Sequence, residues 1–243
     1  MTRASHQMDE TAALIAQHHA IAIAFPCLEL KILGKHIQQG LQQMSEFSDV
    51  LFTSVNGIEA VARNANKPLV QLLAQQRIAV VGSKTAHALH AHHLHAHIIP
   101  PRASQQGLIE AYQTYGFPQS LLFFRAEHGS DLLINCLQQQ NIPVSLIKAY
   151  RSICPKADNT DVLNMLSTHS IDAVLLASPK TTAHYLERIG DLELANRPVL
   201  VGISQNVATA ADKLGLKVQL IAKQPNFASM LDTLANHFSQ RSN

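Results

Sequence analysis

Short apolar runs alternate along this chain with stretches whose apolar residues fall three and four positions apart. From Asp49, DVLF leads through Thr53-Ser54 into VNGIEAVARN, and from Arg77, RIAVV leads through Gly82-Ser83 into KTAHAL and on to an extended HIIP. The same order returns from Asp172 as DAVLLASPKTTAHYL, from Arg197 as RPVLVGISQNVATAA, and ends in KVQLIAKQP. Apolar runs bounded by turn residues read as buried strands, and the wider spacing reads as amphipathic helix. Each copy is therefore strand, Ser, helix, strand, Gly-Ser turn, helix, strand. A repeat this long exceeds a solenoid unit and predicts two similar α/β lobes.

The remaining segments fill in the alternation. Thr11 to His19 has helical spacing, AIAIAFP reads as a strand ended by Pro26, and LELKIL is a second extended run. The Gln-rich HIQQGLQQMSEFSD reads as a solvated helix. GLIEAYQTYG is a short helix between Gly107 and Gly116, and SLLFFRAEHG is a strand entering a tight turn. SDLLINCLQQQNI is an amphipathic helix with Ser130 or Asp131 as N-cap, PVSLIKAYRSICP is extended, and TDVLNMLSTHSI is a helix. Such alternation implies parallel sheets with helices on both faces. The fold class is α/β: two similar doubly wound parallel-sheet lobes, joined by a two-stranded antiparallel linker, with a cleft between them. FPCLELK and AYRSICP, both holding Pro, are the expected crossings. One lobe is then continuous over 31–148, and the other is split into 1–30 and 149–243.

Composition narrows the function. The chain has 243 residues, 47% hydrophobic and 15% charged, enough for one large core or two modest ones. A net charge of +2 gives no field that argues for nucleic acid, and the absence of Trp weakens base stacking. Cys27, Cys136 and Cys154 are odd in number and widely spaced, which reads as reduced thiols rather than a disulfide framework or a metal site. TRASHQMDE after Met1 has no apolar core of a signal peptide, and no apolar run nears a membrane span. A cytoplasmic protein without membrane contact is expected.

Ligands of doubly wound sheets bind outside the carboxyl ends of the strands. Here those ends are Thr53-Ser54, Gly82-Ser83, Arg125 to Gly129, Ala177-Ser178 and Gly202 to Ser204. Each precedes a helix start with unpaired N–H groups and a positive dipole end. Capping alone requires small polar residues at such turns, so the argument rests on the set. The set suits an anionic ligand with many separated charges. His87, His90, His92, His93, His95 and His97 run round a helix without converging ligands and read as a solvated face. Gly82 to Thr85 is like the end of a phosphate loop but lacks its upstream Gly, and no nucleophile elbow or GxGxxG is present.

Thr2-Arg3, Phe25-Pro26, FTSVNGIEAV, AVVGSKTAHAL, FFRAEHGSDLL with NIPV, KAYRSICP, LLASPKTTAHYL and VGISQNVATAADKLG follow one another across nearly the whole chain. In this order and spacing the chain resembles the uroporphyrinogen-III synthase family. The resemblance implies a cofactor-free lyase without metal, which closes linear hydroxymethylbilane with loss of water and inversion of the last ring. The substrate carries eight carboxylates. Tyr150 stands where a family tyrosine assists departure of the hydroxyl. Arg3, Ser54, Asn56, Gly57, Ser83, Thr85, Arg125, Gly129, Ser178, Lys180 and Ser204 stand at substrate-binding positions. The partner implied is this small molecule, with a monomeric protein that meets the preceding pathway enzyme transiently. Three features depart from the family. Met1 abuts Thr2 where a full apolar strand is usual, Val207-Ala208 replaces a frequent Thr-Ala, and Ser130 stands where a second basic residue often follows. The alternative reading is a non-catalytic two-lobed binding module for a small polycarboxylate.

Overall fold

A computed structural model of the chain describes residues 1–2 and 8–241. The chain divides into two compact units, Lys31–Arg151 and Met1–Leu30 with Ser152–Asn243.

In order, the chain forms α1 (Met8–Gln17), β1 (Glu29–Ile32), α2 (Gly34–Gln42), β2 (Asp49–Phe52), α3 (Val55–Asn64), α4 (Leu69–Leu72), β3 (Arg77–Val80), α5 (Ser83–His90), α6 (Gln105–Tyr115), β4 (Leu121–Ala126), α7 (Leu132–Gln139) and β5 (Val144–Ile153). It continues with α8 (Thr160–Ser167), β6 (Ala173–Leu176), α9 (Pro179–Ile189), α10 (Leu192–Ala195), β7 (Val199–Gly202), α11 (Gln205–Asp212), β8 (Val218–Ile221) and α12 (Phe227–Arg241).

In the Lys31–Arg151 unit the sheet order is β1-β5-β4-β2-β3, with β2 to β5 mutually parallel. Side chains alternate between faces. Leu51, Ala79, Leu121 and Phe123 therefore meet Leu108, Tyr112, Leu133 and Leu137 of α6 and α7. On the other face Phe52 and Phe124 stack at 5.5 Å beneath α2 and α3, where Ile37, Ile58 and Val61 are fully buried. Burial on both faces explains why these strands read as unbroken apolar runs. At the strand starts Arg77 Nε donates to Asp49 Oδ2 at 2.8 Å, and its Nη2 donates to Gly116 O at the end of α6.

The other unit holds a parallel sheet in the order β6-β7-β8. Val174, Leu176 and Leu200 pack with Tyr185, Ile189, Val207 and Ala211, whereas Leu175 and Val201 pack with Ile15, Met230 and Leu231. Helices thus cover both faces of each sheet. All three cysteines are free. Cys27 is fully buried, its thiol donates to Phe25 O at 3.3 Å, and burial pushes its pKa up to about 12.

Three local expectations are corrected, and two short helices went unseen. AIAIAFP forms no strand: among the described residues its backbone bonds to residues 1–2 through Met1 N to Ile23 O and Phe25 N to Met1 O, too few bonds for a ladder. HIIP contributes a single bridge, Ala79 to Ile98, since Pro100 and Pro101 have no N–H to extend it. The Gln-rich stretch buries Ile37, Gly40 and Met44, so only its other face is solvated. The four-residue α4 and α10 were beyond periodicity, which needs more than one turn to show.

Candidate functional site

The parallel strands β2, β3, β4 and β5 end on one edge of their sheet. From Leu121 paired with Val144 to Arg125 paired with Lys148, β4 and β5 run residue for residue, and then Ala126 pairs with Tyr150. Ala149 is skipped. A one-residue slip sends every later side chain to the opposite face. The skip therefore puts Tyr150 on the face that Ala149 would otherwise occupy beside Ala126. Extending the Phe52 to Phe124 pairing by two residues brings Ser54 level with Ala126. Ser54, Ala126 and Tyr150 make a row across three strand ends, and the small alanine stands in the middle.

Within this row Ser54 Oγ and the Tyr150 hydroxyl lie 2.8 Å apart. Ser54 is the N-cap of α3, and its Oγ accepts the Gly57 N–H at 3.1 Å. Tyr150 is 8% exposed, and among the described residues Ser54 is the side chain its hydroxyl bonds. Gly57 is needed for no special backbone angle. A Cβ there would stand 3.5 Å from Ser54 Oγ, an ordinary contact.

Arg125 is buried at the end of β4. Its Nη1 donates to Ser130 O at 2.7 Å and its Nη2 to Asp131 Oδ1 at 2.5 Å, while the buried Nε has no partner among the described residues. The guanidinium shapes the turn and lies against Gly129, where a Cβ would come 2.7 Å from Nη1. Asp131 is the N-cap of α7, but its carboxylate holds Arg125 rather than a helix N–H. Gln105 joins the same turn, donating to Ser130 O at 2.6 Å and accepting from Leu133 N at 3.1 Å. Sequence reasoning missed Gln105, since nothing local marks a contact made 25 to 28 residues away. Elsewhere on the edge, α5 is capped by Gly82 without a side-chain bond, so Ser83 is its exposed first residue and Thr85, two residues further in, is buried. Asn56 lies half-buried in the first turn of α3.

The second unit presents two equivalent helix starts. Ser178 forms a capping box with Thr181, each side chain accepting the other's backbone N–H at 3.1 Å, with Pro179 at the first helical position. Lys180 is exposed and donates to Ser152 O at 2.9 Å. Ser204 caps α11 by position only, with no side-chain bond, so its hydroxyl is uncommitted to the helix. Arg3 lies outside the described residues. A cavity of about 730 Å³ opens in this unit against Met1, Ile23, Met165 and Leu234, and none of the described site residues line it.

The histidine run makes local contacts. His90 and His95 meet ring edge to face at 4.6 Å, and His92 Nε2 lies 3.2 Å from Glu59 Oε1. Among the described residues no three His, Cys, Asp or Glu side chains gather as a metal site would require, and no helix is long and apolar enough to cross a membrane.

Comparison with known proteins gives this geometry its setting. Residues 9–232 match the family model described as uroporphyrinogen-III synthase HemD. The chain is 30% identical over 197 residues to the uroporphyrinogen-III synthase of Synechococcus elongatus, covering 76% of this chain and 72% of that one. It is 23% identical over 242 residues to that of Chlorobaculum parvum, covering 95% and 96%. Its fold is similar to the uroporphyrinogen-III synthetase structure from Helicobacter pylori, with a TM-score of 0.61 at 18% identity over 91% of this chain and 97% of that one. A mutant uroporphyrinogen III synthase from Thermus thermophilus gives a TM-score of 0.58 at 17% identity over 97% and 96%. With nearly its whole length matched by one family model, the chain belongs to the uroporphyrinogen-III synthase family.

Proposed function

We propose that this protein is a cyclising hydro-lyase that converts linear hydroxymethylbilane to uroporphyrinogen III, with Tyr150 assisting the loss of water. The observation that carries this reading is the Tyr150 hydroxyl, set at the carboxyl end of β5 and held by Ser54 at 2.8 Å. Electrons from the pyrrole nitrogen expel the hydroxyl of the hydroxymethyl group as its C–O bond breaks. A phenol donating its proton to that oxygen lets it leave as water. The resulting azafulvene is reactive and needs positioning more than further acid–base help. Attack on it by the bridge-bearing α-carbon of the last ring closes the macrocycle. The bond from that carbon to its original bridge breaks and reforms at the ring's free α-carbon, which inverts the ring, and the proton lost from that carbon as aromaticity returns balances the one Tyr150 gave.

The substrate's carboxylates fit the remaining residues. The starts of α3 and α5 in one unit, and of α9 and α11 in the other, offer backbone N–H groups and positive dipole ends. Asn56, Gly57, Ser83 and Thr85 belong to the first pair, and Ser178, Lys180 and Ser204 to the second. Arg125 adds a buried charge whose Nε has no partner among the described residues. The reading calls on no cofactor, and the protein acts as a monomer that receives its substrate from the enzyme before it.

Freshly made hydroxymethylbilane supplies the test. Without a catalyst it closes to the symmetric type I isomer, so type III product is the expected outcome. Type I alone, at the rate of the uncatalysed reaction, would overturn the reading.

A further inference from the structure

We infer that Ser54 is a positioning residue that aims the Tyr150 O–H outward and stabilises the phenolate left behind; this rests on the role proposed for Tyr150. A serine hydroxyl has one hydrogen and two acceptor sites. The Gly57 N–H, at 3.1 Å, occupies an acceptor site of Ser54 Oγ. The hydrogen of Ser54 then has Tyr150 oxygen, at 2.8 Å, as its acceptor among the described residues. A phenol that accepts from Ser54 must point its own hydrogen elsewhere, where a departing hydroxyl can take it. The reverse arrangement, with Tyr150 donating to Ser54, would lock up the catalytic proton and leave the Ser54 hydrogen no protein acceptor among the described residues.

Two features favour the outward arrangement. Donation by Gly57 N–H at the positive end of α3 polarises Ser54 and makes it a better donor. The Ser54 O–H also already points at the oxygen that gains negative charge as the proton leaves, so the donor needs no reorganisation at that moment. The pairing depends on the Ala149 skip, which turns Tyr150 toward this row, and on Ala126, whose side chain is too short to intervene.

The test compares kcat and KM for Ser54→Ala, Ser54→Thr, Ser54→Asp, Tyr150→Phe and the Ser54→Ala/Tyr150→Phe double variant, with folding checked by circular dichroism. Ser54→Ala should lower kcat about tenfold, less than the loss of about 10² or more expected from removing the acid itself, and leave KM within about twofold. Ser54→Thr keeps cap and hydroxyl and should restore most of the turnover. Ser54→Asp caps the helix but only accepts, so its kcat should stay low. In the Tyr150→Phe background Ser54→Ala should cost nothing more, because the two act as one unit. The inference is overturned if Tyr150→Phe is impaired while Ser54→Ala turns over normally, or if Ser54→Ala costs the same factor in both backgrounds. Should Ser54→Ala not fold, equal kcat for the Thr and Asp variants overturns it. A Tyr150→Phe protein with full turnover removes the underlying role of Tyr150, and this inference with it.

Discussion

Ser54 and Tyr150 are 96 residues apart in the chain, yet their hydroxyl oxygens lie 2.8 Å apart at the ends of strands that flank β4. One belongs to a helix cap and the other to a strand, so neither motif alone announces the pair. The contact makes the phenol part of the helix start that the sequence marks as an anion site.

Replacing Tyr150 by Phe removes one oxygen from a buried ring and leaves its packing. Turnover should fall by a factor of about 10² to 10⁴, the usual contribution of a general acid, with KM little changed. Steady-state assay of type III product checks this, and normal turnover would take Tyr150 out of the mechanism.

The glycines next to this edge differ in what they tolerate. Gly57→Ala places its Cβ 3.5 Å from Ser54 Oγ and 3.7 Å from Phe124 O, in free contact range, and the helix gains about 0.5–1 kcal/mol in propensity. Gly107→Ala would bring its Cβ 2.2 Å from the Arg102 carbonyl oxygen, an overlap the backbone must relieve at about 1–3 kcal/mol. Urea unfolding should show the first variant as stable as the parent or more so, and the second less stable.

Alkaline stability should report Cys27. The buried thiol keeps its proton up to about pH 12, whereas in the unfolded chain it ionises near its ordinary value of 9.0. Between those values the unfolded chain holds fewer protons, so stability declines with rising pH, by at most about 1.4 kcal/mol per pH unit. The contribution is whole below pH 9 and lost by about pH 12. Tyr112 and Tyr185, raised by burial, add to the decline above about pH 10. Under reducing conditions Cys27→Ala should shift the whole curve down yet flatten it between about pH 9 and 10. An unchanged slope would mean that the thiol is not the group responsible.

Dialysis against a chelator should leave type III product formation unchanged, since the histidines of α5 and the loop after it do not converge. Activity lost on chelation and restored by zinc would assign them a role.

Much of the fold was legible because its strands are buried on both faces and its helices start at small polar caps. DVLF, RIAV, LLFFRA, AVLL and VLVG each became a strand, and Ser54, Ser178 and Ser204 each became an N-cap. AIAIAFP misled because alternation reports a pattern of sides but not the presence of a partner to pair with. The candidate site was proposed from the sequence as a set of turn residues. Its connections were not: Gln105 to the Arg125 turn, Asp131 to the guanidinium, and Ser54 to Tyr150 all join residues from different elements. Arg125 entered as a substrate-binding position implied by the resemblance, and two of its nitrogens are spent on the turn that carries it.

The skip at Ala149 gives β5 one residue of slack at its end. Deleting Ala149 would restore the unbroken ladder with Tyr150 still opposite Ala126, so the phenol would keep its side of the sheet. Deleting a second residue before Tyr150 would draw the phenol back level with Arg125 and onto the far side. Lineages of this chain should therefore tolerate loss of the one skipped residue far better than loss of a second, a constraint on indels that no substitution pattern at Tyr150 itself would reveal.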